Sequence, residues 1–144
     1  LLITSDTIVW LNGEMLGKPQ DEADAKAMLS RLSGQTHEVY TAVCFTWLDP
    51  IPAEGAQPHE VTQLAQSAHH SFVDCTKVTF KTLSKEEIDY YVNKYRPLDK
   101  AGAYGVQEWI GYVGVTKMEG SYFNVMGFPI CRVYETLRQL ISKD

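Results

Sequence analysis

The 144-residue sequence is short of cysteine, of long apolar runs and of recognisable targeting segments. Its three cysteines, Cys44, Cys75 and Cys131, form no Cys-x-x-Cys pair, and an odd number indicates neither a disulfide framework nor a zinc motif. No apolar stretch approaches the roughly 20 residues of a transmembrane helix, and we expect no signal peptide. These absences favour a globular protein of the reducing cytoplasm.

Basic residues are also too few for a broad polyanion-binding surface. Lys and Arg total 13 against 18 Asp and Glu, which gives a net charge of −5, whereas nucleic-acid polymers and anionic membranes require a basic face. A single nucleotide needs only a few local cations and is not excluded. Neither Gly-x-x-x-x-Gly-Lys-Ser/Thr nor Gly-x-Gly-x-x-Gly occurs, which argues against a phosphate-loop NTPase and against a Rossmann dinucleotide site.

The first nineteen residues carry the most informative pattern that is present. Residues 1–10 read as a buried strand, but the polar segment at residues 4–7 interrupts the apolar run. Burying a neutral polar group without a partner costs roughly 2–7 kcal/mol, so these side chains require a cleft, a metal or a ligand. Asn12-Gly13 predicts a tight turn, and Lys18 follows it. We expect Asp6 and Lys18 to face one polyanion.

The rest of the chain alternates helices and strands. Periodicity predicts a helix over residues 21–34, strands over residues 37–48, 72–83 and 109–118, and a loop over residues 121–127. Ser84 and Glu87 predict a capping box at the start of another helix, and Pro129 suits the first turn of the last one. We expect one α/β domain over residues 1–144, with a mixed, strongly twisted sheet and flanking helices. Residues 50–70 predict a long variable loop with a short helix near residues 61–67.

Four motifs, in order along the chain, resemble the Maf family of nucleoside triphosphate pyrophosphatases. They are DTIVWLNGEMLGKP at residues 6–19, AKAMLSRLSGQTHEV at 25–39, DKAGAYGVQ at 99–107 and GSYFNVMGFP at 120–129. The resemblance covers nearly the whole chain except residues 50–70. It implies the ITPase-like architecture of that family, with an active-site cleft between two lobes.

The resemblance also implies a reaction and a catalytic residue. Asp6 corresponds to the general base, which takes a proton from the water that attacks the α-phosphorus of a triphosphate. The products are a nucleoside monophosphate and pyrophosphate. A divalent cation, Mg²⁺ or Mn²⁺, is the implied cofactor because it lowers the pKa of the attacking water. Its ligands stay open, and Asp6 is one candidate.

Four further residues are candidates for substrate binding. Thr7 and Gln107 correspond to the base-selecting positions, and Thr and Gln there match the branch that acts on dTTP and UTP, whereas the 7-methyl-GTP branch carries acidic residues. Lys18 is a candidate phosphate ligand. Lys100 has two equal interpretations, phosphate binding or an ion pair with Asp99.

Structural interpretations compete at several of these positions. Gln107 could equally satisfy the backbone of its own loop. His37 is interpreted as a structural histidine, and His69 and His70 as incidental, because no carboxylate or cysteine stands at metal-ligand spacing. Tyr104 could stack on a base or pack in the core.

The resemblance has one departure, which keeps a second function open. Family members begin with a strand and a Ser-x-Ser-Pro-Arg-Arg segment that these residues lack. We therefore expect the N-terminal part of the family domain to be missing here, and a protein of these residues alone to be inactive, because the arginines should hold the triphosphate. The competing interpretation is a non-catalytic, nucleotide-binding regulator of cell division, of the septum-inhibiting kind. The sequence leaves a homodimer open.

Overall fold

The computed structural model describes residues 1–48 and 67–142. Within these ranges the chain forms five strands: β1 (Leu2–Leu11), β2 (Glu14–Leu16), β3 (Thr36–Leu48), β4 (Ser67–Phe80) and β5 (Val115–Glu119). The helices of the same ranges are α1 (Glu22–Leu32), α2 (Lys85–Tyr95), α3 (Trp109–Gly114), α4 (Tyr122–Val125) and α5 (Ile130–Ile141), with a short 3₁₀ turn at Ala101–Ala103. None of these helices combines the length and the apolarity that crossing a membrane needs.

The strands form one sheet in the order β2-β1-β3-β4-β5. The expected α/β class with flanking helices is confirmed. The expected mixed sheet is wrong for the described residues, because every neighbouring pair there is antiparallel. Helix α1 does link two strands that run the same way, β2 and β3, but β1 lies between them and pairs with both.

Local capping signals placed the starts of α1 and α2 correctly, whereas the strand predicted over residues 72–83 spans Ser67–Phe80. Asp21 caps α1, since its carboxylate accepts the Asp24 N–H at 2.8 Å. The predicted capping box is confirmed at the start of α2, where Ser84 and Glu87 each accept the other's backbone N–H. Strand β4 begins at Ser67, inside the predicted loop over residues 50–70. The rest of that loop, and its predicted helix near residues 61–67 as far as residue 66, lie outside the described residues.

Helices cover one face of the sheet and form two apolar clusters with it. The larger cluster joins α1 and α2 to the sheet through buried residues that include Leu29, Val39 and Tyr91. The smaller cluster contains Val43, Phe45, Phe72 and Val133, with Leu137 and Leu140 of α5 against it.

A polar position on β3 separates the two clusters. The inward-facing residues of β3 run from Val39, in the larger cluster, through Thr41 to Val43, in the smaller one. Thr41 is fully buried, and its hydroxyl donates to the backbone oxygen of Asn124 in α4 at 2.9 Å. Helix α4 therefore packs over a polar gap in the core, and the cleft described below opens beside it.

Two predictions for the last third of the chain are wrong in part. Residues 109–118 were expected as one strand, but Trp109–Gly114 forms α3 and only Val115–Glu119 is a strand. The β-branched and aromatic residues that suggested a strand instead supply Ile110 to the larger cluster, where it is fully buried. The expected loop over residues 121–127 contains the four-residue helix α4.

Gly111 allows α3 to pack, and its replacement by alanine should destabilise the protein strongly. A Cβ at Gly111 would lie 1.8 Å from the backbone oxygen of Val106, so the helix or the preceding loop must shift. We expect Gly111→Ala to lower the free energy of unfolding by about 3 kcal/mol, the upper range for overpacking, measured by urea denaturation. Gly17→Ala is the control, because nothing lies within 4 Å of a Cβ there. Equal stabilities of the two variants would contradict this packing argument.

Candidate active-site cleft

A cleft of about 310 Å³ brings together all five residues that the sequence singled out. They reach it from three separate segments: Asp6 and Thr7 from β1, Lys18 from the segment after β2, and Lys100 and Gln107 from the loop after α2. A further part of the wall is formed by residues at the end of α4, Val125, Met126 and Gly127. They belong to the fourth of the motifs that resemble the family, at residues 120–129.

The β1 side of the cleft is an edge of the sheet. Strand β2 pairs only with Val9, Trp10 and Leu11 of β1, so in the described residues the preceding part of that edge has no partner strand. Successive strand residues point to opposite faces, which places Ser5 and Thr7 toward the helices and Asp6 on the other side. Asp6 Oδ1 accepts the Thr7 N–H at 3.0 Å, so the carboxylate lies against the strand backbone beside the cleft.

Asp6 keeps an uncommitted carboxylate oxygen. Its side chain is exposed, and apart from the Thr7 N–H it makes no hydrogen bond or ion pair with residues 1–48 and 67–142. A general base must come within hydrogen-bond reach of the proton that it takes, with an oxygen that no other group of the protein occupies. The arrangement satisfies that requirement.

The two lysines are held differently. Lys18 makes no ion pair with any residue that the structure describes, and the backbone beside it is fixed because Gly17 O accepts the Gly102 N–H at 3.0 Å. Lys100 Nζ lies 3.1 Å from Asp99 Oδ1 and 3.5 Å from Glu108 Oε1. Burial lowers the pKa of Lys100, but the hydrogen bond to Asp99 and the nearby carboxylates outweigh it, and the net effect raises that pKa. Lys100 therefore forms the ion pair and still lines the cleft as a cation.

The loop that carries Lys100 and Gln107 is fixed by a buried tyrosine. The hydroxyl of Tyr91 accepts the Gly105 N–H at 3.0 Å and donates to Glu108 Oε2. A glycine at position 105 leaves room for this arrangement. A Cβ there would lie only 3.0 Å from the side chains of both Glu108 and Lys100 and would crowd them. Tyr91 and Glu108 are not among the candidate residues that the sequence indicates, because their spacing of 17 residues gives no local signal.

Gln107 is not needed to hold that loop together. Its side chain is exposed at the cleft, and its amide makes no hydrogen bond with the described residues. The structural interpretation, in which the amide satisfies loop backbone, therefore finds no support in the geometry. The amide offers a donor and an acceptor to a ligand.

His37 lies behind the cleft, as a structural histidine would. It is 2% exposed, its Nε2 lies 2.7 Å from the hydroxyl of Tyr104, and its ring stacks on Phe80. Tyr104 lines the cleft and is itself buried. Burial lowers the pKa of His37 from its ordinary 6.5 to about 4, so the ring is neutral at pH 7.

The charges that line the cleft balance one another. Asp6 and Asp99 oppose Lys18 and Lys100, so a triphosphate needs further cations. No cluster of three or more His, Cys, Asp or Glu side chains occurs in the described residues. A divalent cation nevertheless fits, because Mg²⁺ commonly binds one or two carboxylates, several waters and the substrate phosphates. Asp6, which has no ion pair with the described residues, is the carboxylate that would hold it, through the oxygen that also accepts the Thr7 N–H.

Comparison with known proteins identifies relatives over almost the whole chain. The family model described as "Maf-like protein" matches residues 1–140. Curated relatives named dTTP/UTP pyrophosphatase include those of Phocaeicola vulgatus, 52% identical over 97% of this chain, and Flavobacterium johnsoniae, 50% identical over 98%. The relative from Bacteroides thetaiotaomicron is 49% identical over 97% of the chain. The chain spans 63% of the length of each of these three relatives.

The buried His37 should make the protein less stable in mild acid. An unfolded chain binds a proton on this histidine below about pH 6.5, whereas the folded chain does so only near pH 4, so stability falls as the pH is lowered through that window. Between pH 7 and pH 5 the contribution is about 2 kcal/mol. We expect His37→Gln to reduce the stability change between these pH values by that amount in urea denaturation. The exposed His69 supplies the control, His69→Gln; an undiminished change in His37→Gln would refute the argument.

Proposed function

This chain belongs to the Maf-like family, and from that membership we propose that its full-length protein hydrolyses nucleoside triphosphates, with dTTP and UTP as preferred substrates. The products are the nucleoside monophosphate and pyrophosphate. The observation that carries the proposal is the convergence of Asp6, Thr7, Lys18, Lys100 and Gln107 on one cleft. The names of the relatives support the substrate class and favour an enzyme over the non-catalytic regulator.

Asp6 is the proposed general base. Its carboxylate is exposed beside the cleft and has no ion pair with the described residues, so it is able to take a proton from a water molecule. The hydrogen bond from the Thr7 N–H fixes one carboxylate oxygen at 3.0 Å and leaves the other for that proton. The water then attacks the α-phosphorus, and pyrophosphate leaves.

Lys18 and Lys100 are the proposed phosphate ligands. Lys18 is exposed, and Lys100 is held in place by Asp99 and Glu108. Both ammonium groups would stabilise negative charge on the departing pyrophosphate. A divalent cation, Mg²⁺ or Mn²⁺ held by Asp6 and the phosphates, would supply Lewis-acid activation of water.

Gln107 and Thr7 are the residues proposed to recognise the nucleotide base. Uracil and thymine present the N3–H donor beside the O4 acceptor. A carboxamide can donate to O4, and either its oxygen or the Thr7 hydroxyl can accept from N3–H. The exposed and unbonded amide of Gln107 at the cleft supports this role. We further propose the cytoplasm as the site of action, since Cys44, Cys75 and Cys131 are free thiols.

Replacing Asp6 by asparagine should abolish most of the turnover and spare substrate binding. Asp6→Asn keeps the shape and removes the base, and loss of a general base typically lowers kcat by about 10²–10⁴-fold. The measurement is kcat for dTTP in the full-length protein, with nucleotide binding measured in parallel. Asp74→Asn is the matched control: Asp74 also accepts the N–H of the next residue, at 3.1 Å, and lies outside the cleft. A variant that retains more than about a tenth of wild-type kcat would show that Asp6 is not the base.

Replacing Gln107 by glutamate should weaken the enzyme selectively for uracil and thymine. The change removes the donor for O4 and places a negative charge opposite that oxygen, and one unpaired buried acceptor corresponds to a roughly 5- to 150-fold loss in kcat/KM. The measurement compares dTTP, UTP, CTP and GTP at saturating Mg²⁺. GTP, whose guanine edge carries donors, should suffer less or gain. An equal loss on all four nucleotides would mean that Gln107 supports the loop and does not contact the base.

A further inference from the structure

We propose that Thr7 presents only a hydrogen-bond acceptor to the substrate base, and that Thr41 is the positioning residue that fixes this polarity. The proposal rests on the proposed function and deepens it, because it states which edge of a pyrimidine the cleft accepts. It is based on which of three neighbouring oxygens, those of Thr7, Thr41 and Asn124, can supply the proton for each hydrogen bond between them.

Thr41 lies at the centre of these three oxygens and is fully buried on β3. Its Oγ1 lies 2.9 Å from the backbone oxygen of Asn124 and 2.9 Å from Thr7 Oγ1. A carbonyl oxygen has no proton to give, and a threonine hydroxyl has one. Thr41 must therefore donate to Asn124, since two oxygens at 2.9 Å without a proton between them would repel each other.

The proton between the two threonines then belongs to Thr7. The only hydroxyl proton of Thr41 is already donated to Asn124. The 2.9 Å contact between the two threonine hydroxyls is therefore a hydrogen bond only if Thr7 donates to Thr41. Thr7 Oγ1 is left with lone pairs and no proton for a ligand. Ser5, the next cleft-lining hydroxyl on that face of β1, is likewise committed, because it donates to Gly127 O at 3.1 Å.

Asn124, the last acceptor in this chain of hydrogen bonds, is held in place by hydrogen bonds of its own. Asn124 is fully buried, and its amide nitrogen donates to Val39 O at 3.1 Å and to Thr76 Oγ1 at 2.9 Å. The Asn124 backbone oxygen also accepts the Gly127 N–H at 3.0 Å. Buried hydrogen-bonded groups of this kind have no solvent to exchange with. The donor direction at Thr41 is therefore fixed by the folded chain, and the half-buried Thr7 keeps its hydrogen bond to Thr41 only as the donor.

The Thr7 hydroxyl remains accessible from the cleft because the neighbouring residue, Gly127, has no side chain. Gly127 has a φ of +105°, and a Cβ at that position would lie 3.4 Å from Thr7 Oγ1. A side chain there would cover the hydroxyl. Both Gly127 and Thr7 line the cleft.

An acceptor at this point distinguishes the two classes of pyrimidine. Uracil and thymine carry a proton on N3, which Thr7 can accept, whereas N3 of cytosine carries a lone pair and would face another lone pair. Gln107 cannot make this distinction alone, because its amide can rotate by half a turn to exchange donor and acceptor. With N3–H bound by Thr7, the Gln107 amide nitrogen remains to donate to O4.

The test is the ratio of kcat/KM for UTP to that for CTP in the full-length protein. Thr41→Val removes the fixed acceptor, so the Thr7 proton is free to turn toward cytosine N3. We expect the ratio to fall by roughly 5- to 150-fold, the range for one unsatisfied buried polar group, and Thr41→Ser to restore it. Thr76→Val is the matched control, because Thr76 is equally buried and contacts the same Asn124 but not Thr7.

A second measurement uses the unaltered protein and so does not depend on how well a variant folds. In 3-deazacytidine triphosphate a C–H group replaces the N3 lone pair of cytosine. If lone-pair repulsion at Thr7 rejects CTP, this analogue should be used several-fold better than CTP. Equal use of the two compounds would overturn the proposal, as would a Thr76→Val ratio that falls as far as that of Thr41→Val.

Binding distinguishes a failure of this inference from a failure of the proposed function. Dissociation constants of UMP and CMP, measured by calorimetry, test the polarity of Thr7 without any turnover. A protein that prefers UMP in binding, and loses that preference in Thr41→Val, supports the inference even if no triphosphate is hydrolysed. A protein that hydrolyses UTP with no preference over CTP overturns the inference and leaves the proposed hydrolysis standing.

Discussion

The register of β1 against β3 is the constraint on which the cleft depends. It sets Thr7 directly opposite Thr41 and Asp6 opposite Ala42. A slip of one residue would turn Thr7 to the other face and break its contact with Thr41, because strand side chains alternate. The same register keeps Val9 and Leu11 in the larger apolar cluster. Burial of these apolar residues therefore fixes the position of the polar pair beside them.

Polar residues occupy the gap between the two apolar clusters, so the core there buries less apolar surface but supports the cleft through hydrogen bonds. Thr41, Thr76 and Asn124 occupy core positions where apolar side chains would contribute directly to stability. Their hydrogen bonds hold α4, a helix of only four residues that is too short to be stable by itself. Since the end of α4 forms one wall of the cleft, this polar cluster determines where Met126 and Gly127 lie relative to Thr7.

The electrostatics of the cleft explain why two lysines would not be sufficient for the proposed triphosphate substrate. Lys100 is already paired with Asp99 and Glu108, which position it but reduce the charge it offers. Of these two lysines, only Lys18 has no ion pair in the described residues. A divalent cation held by Asp6 would restore the positive charge that the substrate requires.

The sequence by itself determined the local features and the candidate residues. The capping box at Ser84 depends on residues three apart, and the motifs around Asp6, Lys18 and Gln107 are short and contiguous. Tertiary structure decided what joins distant segments. The bond from Thr41 to Asn124 spans 83 residues and that from Tyr91 to Glu108 spans 17, and the helix at 109–114 overrode its local β preference because Ile110 reaches the core. Such contacts are set by packing and by strand register, which depend on the whole chain, so no local pattern predicts them.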